Sequence, residues 1–270
     1  MTQKNRDLLR STFDQAAELY DRARPGYPAA LFDDLAALTG IGPGSRVLEI
    51  GPGTGQATRP LAERGCRVVA VELGAGLAAV ARRNLAAFPS VEVVTAAFED
   101  WPLPAEPFDL VLAATAFHWI DPSVRVDKVA DALRPGRSLA TVTTHHVAGG
   151  DEPFFAEVQD CYVRWDPDTP TALTLQPAAD IPSAHYGVDE SNRFGPATLR
   201  RYEWDWSYTT TSYVDLLLTY SGHRALDPEA QSNLLDCIAN LIDTGYGGHI
   251  TKRYLTELRV APKAGGHSDG

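Results

Sequence analysis

The stretch Val47-Leu48-Glu49-Ile50-Gly51-Pro52-Gly53-Thr54-Gly55-Gln56-Ala57-Thr58 decides the fold of this 270-residue chain. Arg46 to Ile50 is a short apolar run bounded by turn residues, which predicts a buried strand. Thr54 to Arg64 predicts the helix that follows. Between them, glycines at 51, 53 and 55 let the backbone turn sharply and lie close to a ligand, because glycine has no Cβ. The next helix opens with unpaired N–H donors. A strand, a glycine turn and a helix in this order place a nucleotide-like ligand at the carboxyl end of a strand.

The spacing narrows the choice of ligand. A dinucleotide fingerprint needs a third small residue where this chain has Gln56. The glycines instead run G-x-G-x-G, and Glu49 stands two residues before the first. A carboxylate there repels a pyrophosphate and suits an ammonium group, directly or through water. The segment resembles the E/D-x-G-x-G-x-G motif of the class I S-adenosylmethionine-dependent methyltransferases. An NAD-dependent dehydrogenase fits less well on both counts.

Three further markers follow in order. Arg67 to Leu73 predicts the next parallel strand and carries Glu72 near its end, 19 residues after Gly53 (72 − 53). An acid at that place accepts hydrogen bonds from ribose hydroxyls. Val91 to Pro102 predicts a third strand and its turn. There the family's usual Asp is replaced by Ala97-Phe98, so adenine contacts fall to backbone N–H groups and to the Phe98 ring, which core packing claims equally well. Phe108 to Asp121 predicts a fourth buried strand opening into a polar-aromatic cluster. This segment, and Phe13 to Pro28, are similar to the trans-aconitate methyltransferase-like branch of the family. The resemblance spans residues 8 to 147 well and the rest loosely.

The resemblance implies S-adenosylmethionine as cofactor, held by Tyr20, Arg24, Glu49, Gly51, Gly53, Gly55, Glu72, Leu73, Ala97, Phe98 and Ala114. Tyr27, Trp119, His146 and Trp165 are the candidate substrate residues. Methyl transfer from a sulfonium is an in-line substitution, so the protein mainly binds both reactants in line and excludes water. A hydroxyl acceptor also needs a base, for which histidine is suited near neutrality. His118, after the fourth strand, is the first candidate; His145, His146 and His223 are the others. His145 and His146 point to opposite faces if their strand persists. No Asp or Glu accompanies them at ligand spacing, so no metal is expected. The alternative is a methyltransferase-fold protein that binds the cofactor without transferring its methyl, as a cyclase or a regulatory module.

Composition agrees with an enzyme that acts on small molecules. Hydrophobic residues make up 44% of the chain, enough for a core. No apolar run approaches the ~20 residues that cross a bilayer. Met1 to Arg10 is polar and unlike a signal peptide. Cys66, Cys161 and Cys237 lie far apart with no zinc-type spacing, and are expected to be isolated small buried residues. A cytoplasmic location is the default expectation. The net charge of −11, with no basic stripe, argues against nucleic-acid and anionic-membrane partners. A small-molecule acceptor remains. The oligomeric state is left open.

The order of elements predicts an α/β fold. Strands near 46–51, 67–73, 91–97, 108–116 and 138–146 alternate with helices near 54–65, 75–88 and 122–134, which implies a doubly wound parallel sheet. Helices are also expected at 5–20, 28–39, 212–221 and 228–243, and strands at 202–209 and 250–261. The resemblance makes this a Rossmann-like seven-stranded sheet with the last strand antiparallel, plus a lid insertion after the fifth strand. The expected divisions are a helical cap at 1–40, a cofactor core at 41–147, a lid at 148–198, the rest of the core at 199–263, and a disordered tail at 264–270.

Overall fold

The structure, a computed structural model, describes residues 16–166 and 174–265. The expectations for residues 1–15, which include part of the first helix and Phe13 to Gln15, for residues 167–173 of the expected lid, and for 266–270 lie outside them.

The centre of the sheet is built from the most apolar runs. β1 (Arg46–Ile50) and β4 (Phe108–Ala114) lie side by side, and every residue of β4 is buried. Such continuous apolar runs suit parallel strands covered on both faces. β2 (Arg67–Glu72) and β3 (Val91–Thr95) extend the sheet on one side, and β5 (Leu133–Gly150), β7 (His249–Pro262) and β6 (Thr198–Thr209) on the other. The seven-stranded order is β3-β2-β1-β4-β5-β7-β6, with β7 antiparallel to both neighbours. The last strand in sequence is thus inserted before the sixth, and the expected topology stands.

Period-two alternation divides the core between the two faces. Val47, Leu110 and Leu112 pack with Leu31, Phe32 and Leu35 of α2 (Ala29–Thr39). Leu48, Val111 and Ala113 pack with Val129 and Ala130 of α5 (Arg125–Ala132), and with Val188 and Phe194 from the long connection after β5. Between these, α1 is Ala17–Ala23, α3 is Thr58–Glu63 and α4 is Ala75–Asn84.

β5 runs further than 138–146. It begins at Leu133 and ends at Gly150, with a register shift against β7 between Val147 and Gly150. A Cβ at Gly150 would lie 2.3 Å from the Thr251 carbonyl oxygen, so glycine permits that close approach. Beyond the shift, the insertion after β5 opens with two helices, α6 (Glu152–Glu157) and α7 (Gln159–Trp165). They pack with α8 (Thr210–Leu217) and α10 (Pro228–Gly245) around Phe154, Tyr213, Leu216, Leu234 and Ile238. A short α9 (Ser221–Ala225) joins the last two.

One expectation is corrected here. Only Cys66 is an isolated buried thiol; Cys161 and Cys237 form a disulfide that ties α7 to α10. Their 76-residue separation carries no spatial information, and the packing of the two helices brings them together. The cysteines therefore lend no support to the cytoplasmic expectation. Among the described residues, no helix is long and apolar enough to cross a membrane.

Candidate active site

The glycine turn is built by its neighbours as much as by its own flexibility. Gly51 has φ +67°, and a Cβ there would come within 2.7 Å of the Ala116 Cβ. The β1 turn therefore rests directly on the turn after β4. Gly51→Ala should destabilise the protein by ~2 kcal/mol or more, through left-handed strain and overpacking. Thermal denaturation checks this, and an unchanged midpoint would mean that the turn relaxes freely. Gly53 lies against the Tyr20 ring. Gly55 faces Leu85 and packs the turn against α4 rather than lining the cleft.

Glu72 ends β2 opposite this turn and is 6% exposed. Gly53 N–H donates to its Oε2 at 3.0 Å, and Gly74 N–H donates to its Oε1 at 2.9 Å. The carboxylate thus clamps two turns. Each oxygen accepts one of these bonds and retains acceptor capacity towards a ligand.

A cleft of about 340 Å³ opens here, at the carboxyl ends of β1, β2 and β4. Tyr20, Arg24, Gly51, Gly53, Glu72 and Leu73 line it from one side. Phe98, Ala114, His118 and Trp119 line it from the other. Phe98 is nevertheless almost wholly buried, serving the core and the cleft together. Ala97 is absent from the walls. Its carbonyl accepts from Asp100 and Trp101 N–H and closes the turn, which aims its two neighbours, not itself, at the cleft.

An adjoining chamber of about 200 Å³ shares Tyr20, Arg24, Gly51, Ala114, Thr115 and Thr144 with the cleft. Tyr27, Gln56, His146, Tyr220 and Tyr254 complete its polar and aromatic walls. Thr115 stands between the two spaces with φ +52°, a conformation a threonine rarely adopts. Its Oγ1 lies 3.0 Å from the Tyr27 hydroxyl and donates to the Ala114 carbonyl at 2.8 Å. No sequence signal marked Thr115, because strain at a strand end is imposed by the surrounding structure.

Trp165 lines neither space. It sits at the end of α7 among the partly buried side chains of the helical cluster, with the Arg164 guanidinium 4.9 Å from its ring. Phe154, Phe155 and Tyr162 of the insertion also face that cluster. None of these rings lines either space; Phe155 packs on His146 at 4.5 Å, and Tyr186 packs against the cleft wall from outside. Its ring lies parallel to His118, 25° between planes and 6.4 Å apart, and its hydroxyl is 3.3 Å from Thr143 Oγ1.

The histidines separate cleanly. His118 lies in a short helical turn, Phe117–Trp119, at the accessible rim of the cleft. Enclosure by the cleft walls and then Arg125 lower its pKa, so the ring is neutral near pH 7. His145 faces away, its Nε2 3.5 Å from Glu257 Oε2. His146 faces the chamber, where burial and then Lys252 lower its pKa to about 3 and leave Nε2 buried without a hydrogen-bond partner. His223 holds the Tyr162 hydroxyl at 2.9 Å. No group of three His, Cys, Asp or Glu side chains among the described residues is placed to hold a metal.

Glu49 lines neither space. It is 1% exposed behind the glycine turn, and neither carboxylate oxygen has a hydrogen-bond partner. Burial pushes its pKa up to about 7; the nearby Thr58 hydroxyl opposes this without reaching hydrogen-bond geometry, and Glu72 adds to it.

Residues 47–136 match the family model described as a methyltransferase domain. An uncharacterised methyltransferase of Mycobacterium tuberculosis is 39% identical over 142 residues, covering 53% of this chain and 55% of the relative. The match thus spans about half the length of that relative. A type II methyltransferase structure from Anaeromyxobacter dehalogenans superposes with a TM-score of 0.59 at 24% identity, covering 88% of this chain and 97% of that one. A Haemonchus contortus phosphoethanolamine N-methyltransferase, solved with phosphomonomethylethanolamine and S-adenosylhomocysteine, gives 0.52 at 18% identity, covering 93% of this chain and 57% of that one. At such identities the two structures speak for the fold. Residues 47–136 are thus similar to a methyltransferase domain, and the chain shares its α/β fold with solved methyltransferases.

Proposed function

We propose that this chain transfers a methyl group from S-adenosylmethionine to a small-molecule acceptor. The observation that carries the reading is Glu72, anchored by Gly53 and Gly74 N–H with its carboxylate at the cleft wall. The residues present fit this cofactor. Glu72 accepts from the ribose hydroxyls, and Leu73 and Phe98 flank the adenine. Arg24 and Tyr20 hold the methionine end, towards which the unpartnered Glu49 carboxylate supplies negative charge from behind the turn. When bound, the cofactor supplies a methyl group activated by a sulfonium.

The adjoining chamber takes the acceptor, with Tyr27 and His146 in its walls and Trp119 at the cleft side. Thr115, common to both spaces, sets the line between them. From the connection after β5, Tyr186 packs on His118 and Phe155 on His146, so these two rings brace the walls of the two spaces. Calorimetry tests the reading directly. S-adenosylmethionine and S-adenosylhomocysteine should each bind 1:1 and NAD should not; NAD binding without S-adenosylmethionine binding would end it.

His118 is the proposed general base for an acceptor that must lose a proton. It is neutral near pH 7 and has no hydrogen-bond partner among the described residues that would compete for that proton. His118→Ala should lower turnover by ~10²-fold or more with little change in cofactor affinity. An equal loss of cofactor affinity would instead make His118 a binding residue.

A further inference from the structure

Lys252 lies on β7 at 4% exposure. A buried ammonium is costly unless paired. Among the described residues no carboxylate lies within ion-pair distance of it. Its one hydrogen bond is a long one, 3.4 Å to the Tyr220 hydroxyl. Aromatic faces supply the rest of its surroundings, with Tyr254, Tyr220 and Tyr213 ring centroids at 5.2, 5.8 and 5.9 Å. Such faces offset only part of the desolvation of a cation.

A second cation flanks the same tyrosine. The Arg24 guanidinium sits 4.5 Å from the Tyr220 ring centroid. It donates to the Thr219 hydroxyl and carbonyl, and it too makes no ion pair among the described residues. Tyr220 lines the chamber, whose walls include no Asp or Glu. Burial alone would raise the Tyr220 phenol pKa, yet Lys252 and then Arg24 bring it below its ordinary value. Beside it, the buried His146 Nε2 is without a partner. In a chain of net charge −11, two cations without acids converge on one chamber wall.

We infer that this wall binds an oxyanion of the methyl acceptor, a carboxylate or a phosphate monoester, which accepts the Tyr220 hydroxyl while Lys252 neutralises it from behind. The inference deepens the methyl-transfer reading and rests on it for assigning the chamber to the acceptor. Lys252 does not line the chamber, so it is a positioning residue acting through Tyr220. Cationic acceptors are disfavoured at this wall by like-charge repulsion.

The test uses four probes of similar shape: benzoate, phenyl phosphate, neutral benzamide and cationic benzylamine. Each is titrated calorimetrically at constant ionic strength, with and without saturating S-adenosylhomocysteine. The protein is tested as wild type, Lys252→Met and Tyr220→Phe. In the wild type at least one anion should bind ~10-fold or more tightly than benzamide and benzylamine, as expected for one charged hydrogen bond. Whichever anion is preferred identifies the source of the oxyanion. Lys252→Met should remove the preference while leaving benzamide binding unchanged; a purely structural role for Lys252 would weaken both alike. Tyr220→Phe keeps the ring and should reduce the preference too, so it carries the test if Lys252→Met fails to fold. Absence of an anion preference in the wild type, or its survival in the folded variants, overturns the inference. An anion preference without S-adenosylhomocysteine binding would sink the methyl-transfer reading alone.

Discussion

Glu72→Ala is expected to weaken S-adenosylhomocysteine binding by ~10²-fold or more, since hydrogen bonds to a charged group contribute about 1.5–3 kcal/mol each and two ribose hydroxyls are at stake. The structure adds a second reason. The same carboxylate holds Gly53 and Gly74 N–H, so its loss also loosens the turn that carries the ligand. Glu72→Gln separates the two effects, because an amide oxygen still accepts one backbone N–H. The fold should survive, as the carboxylate faces the cleft and not the apolar core. Circular dichroism confirms folding, and calorimetry gives the affinity. A folded Glu72→Ala protein with wild-type affinity would remove Glu72 from the site.

Glu49 should couple cofactor affinity to pH in a direction that follows from its burial. Its pKa in the folded protein is about 7, against 4.5 for an ordinary glutamate. Between those values the folded state holds a proton that the unfolded chain has released. The group's contribution to stability is therefore full below pH 4.5, declines as pH rises towards 7, and is gone above it. A shift of this size is on the order of 3 kcal/mol. Glu49→Gln removes the buried charge and should raise the melting temperature of the ligand-free protein at pH 8, with a smaller or reversed difference at pH 5. A cofactor ammonium favours the ionised carboxylate. S-adenosylmethionine affinity should then rise with pH up to about 7 in the wild type and change little with pH in Glu49→Gln, where it is weaker by ~10-fold or more. A pH-independent wild-type affinity would show that Glu49 does not sense the ligand.

These two acids were legible early because their signals are local. A carboxylate beside a glycine turn, and another near the end of the next strand, are separated by one strand–helix unit whose length is set by backbone geometry. The strands themselves were legible from apolar runs and alternation, as in Phe108–Ala114, where every residue is buried. The opposed faces of His145 and His146 followed from the period of two, since one meets Glu257 and the other the chamber.

What the sequence alone determined was the order and type of most elements, and that the glycine turn and Glu72 end neighbouring strands at one edge of the sheet. Tertiary structure decided everything that depends on residues distant in the chain. Trp165 reads like Trp119 as an amphipathic aromatic near a candidate site, yet helix packing turned it into the cluster around Phe154. Cys161 and Cys237 read as unrelated residues until α7 was laid across α10. Lys252 carries no mark in the sequence, because nothing within β7 reveals that Tyr213 of α8 and Tyr220 just before α9 join its strand neighbour Tyr254 around the ammonium. Periodicity and turn chemistry act over a few residues and leave a mark in sequence. Burial, ring contacts and ion-pair partners arise between segments far apart in the chain, so only the assembled fold sets them.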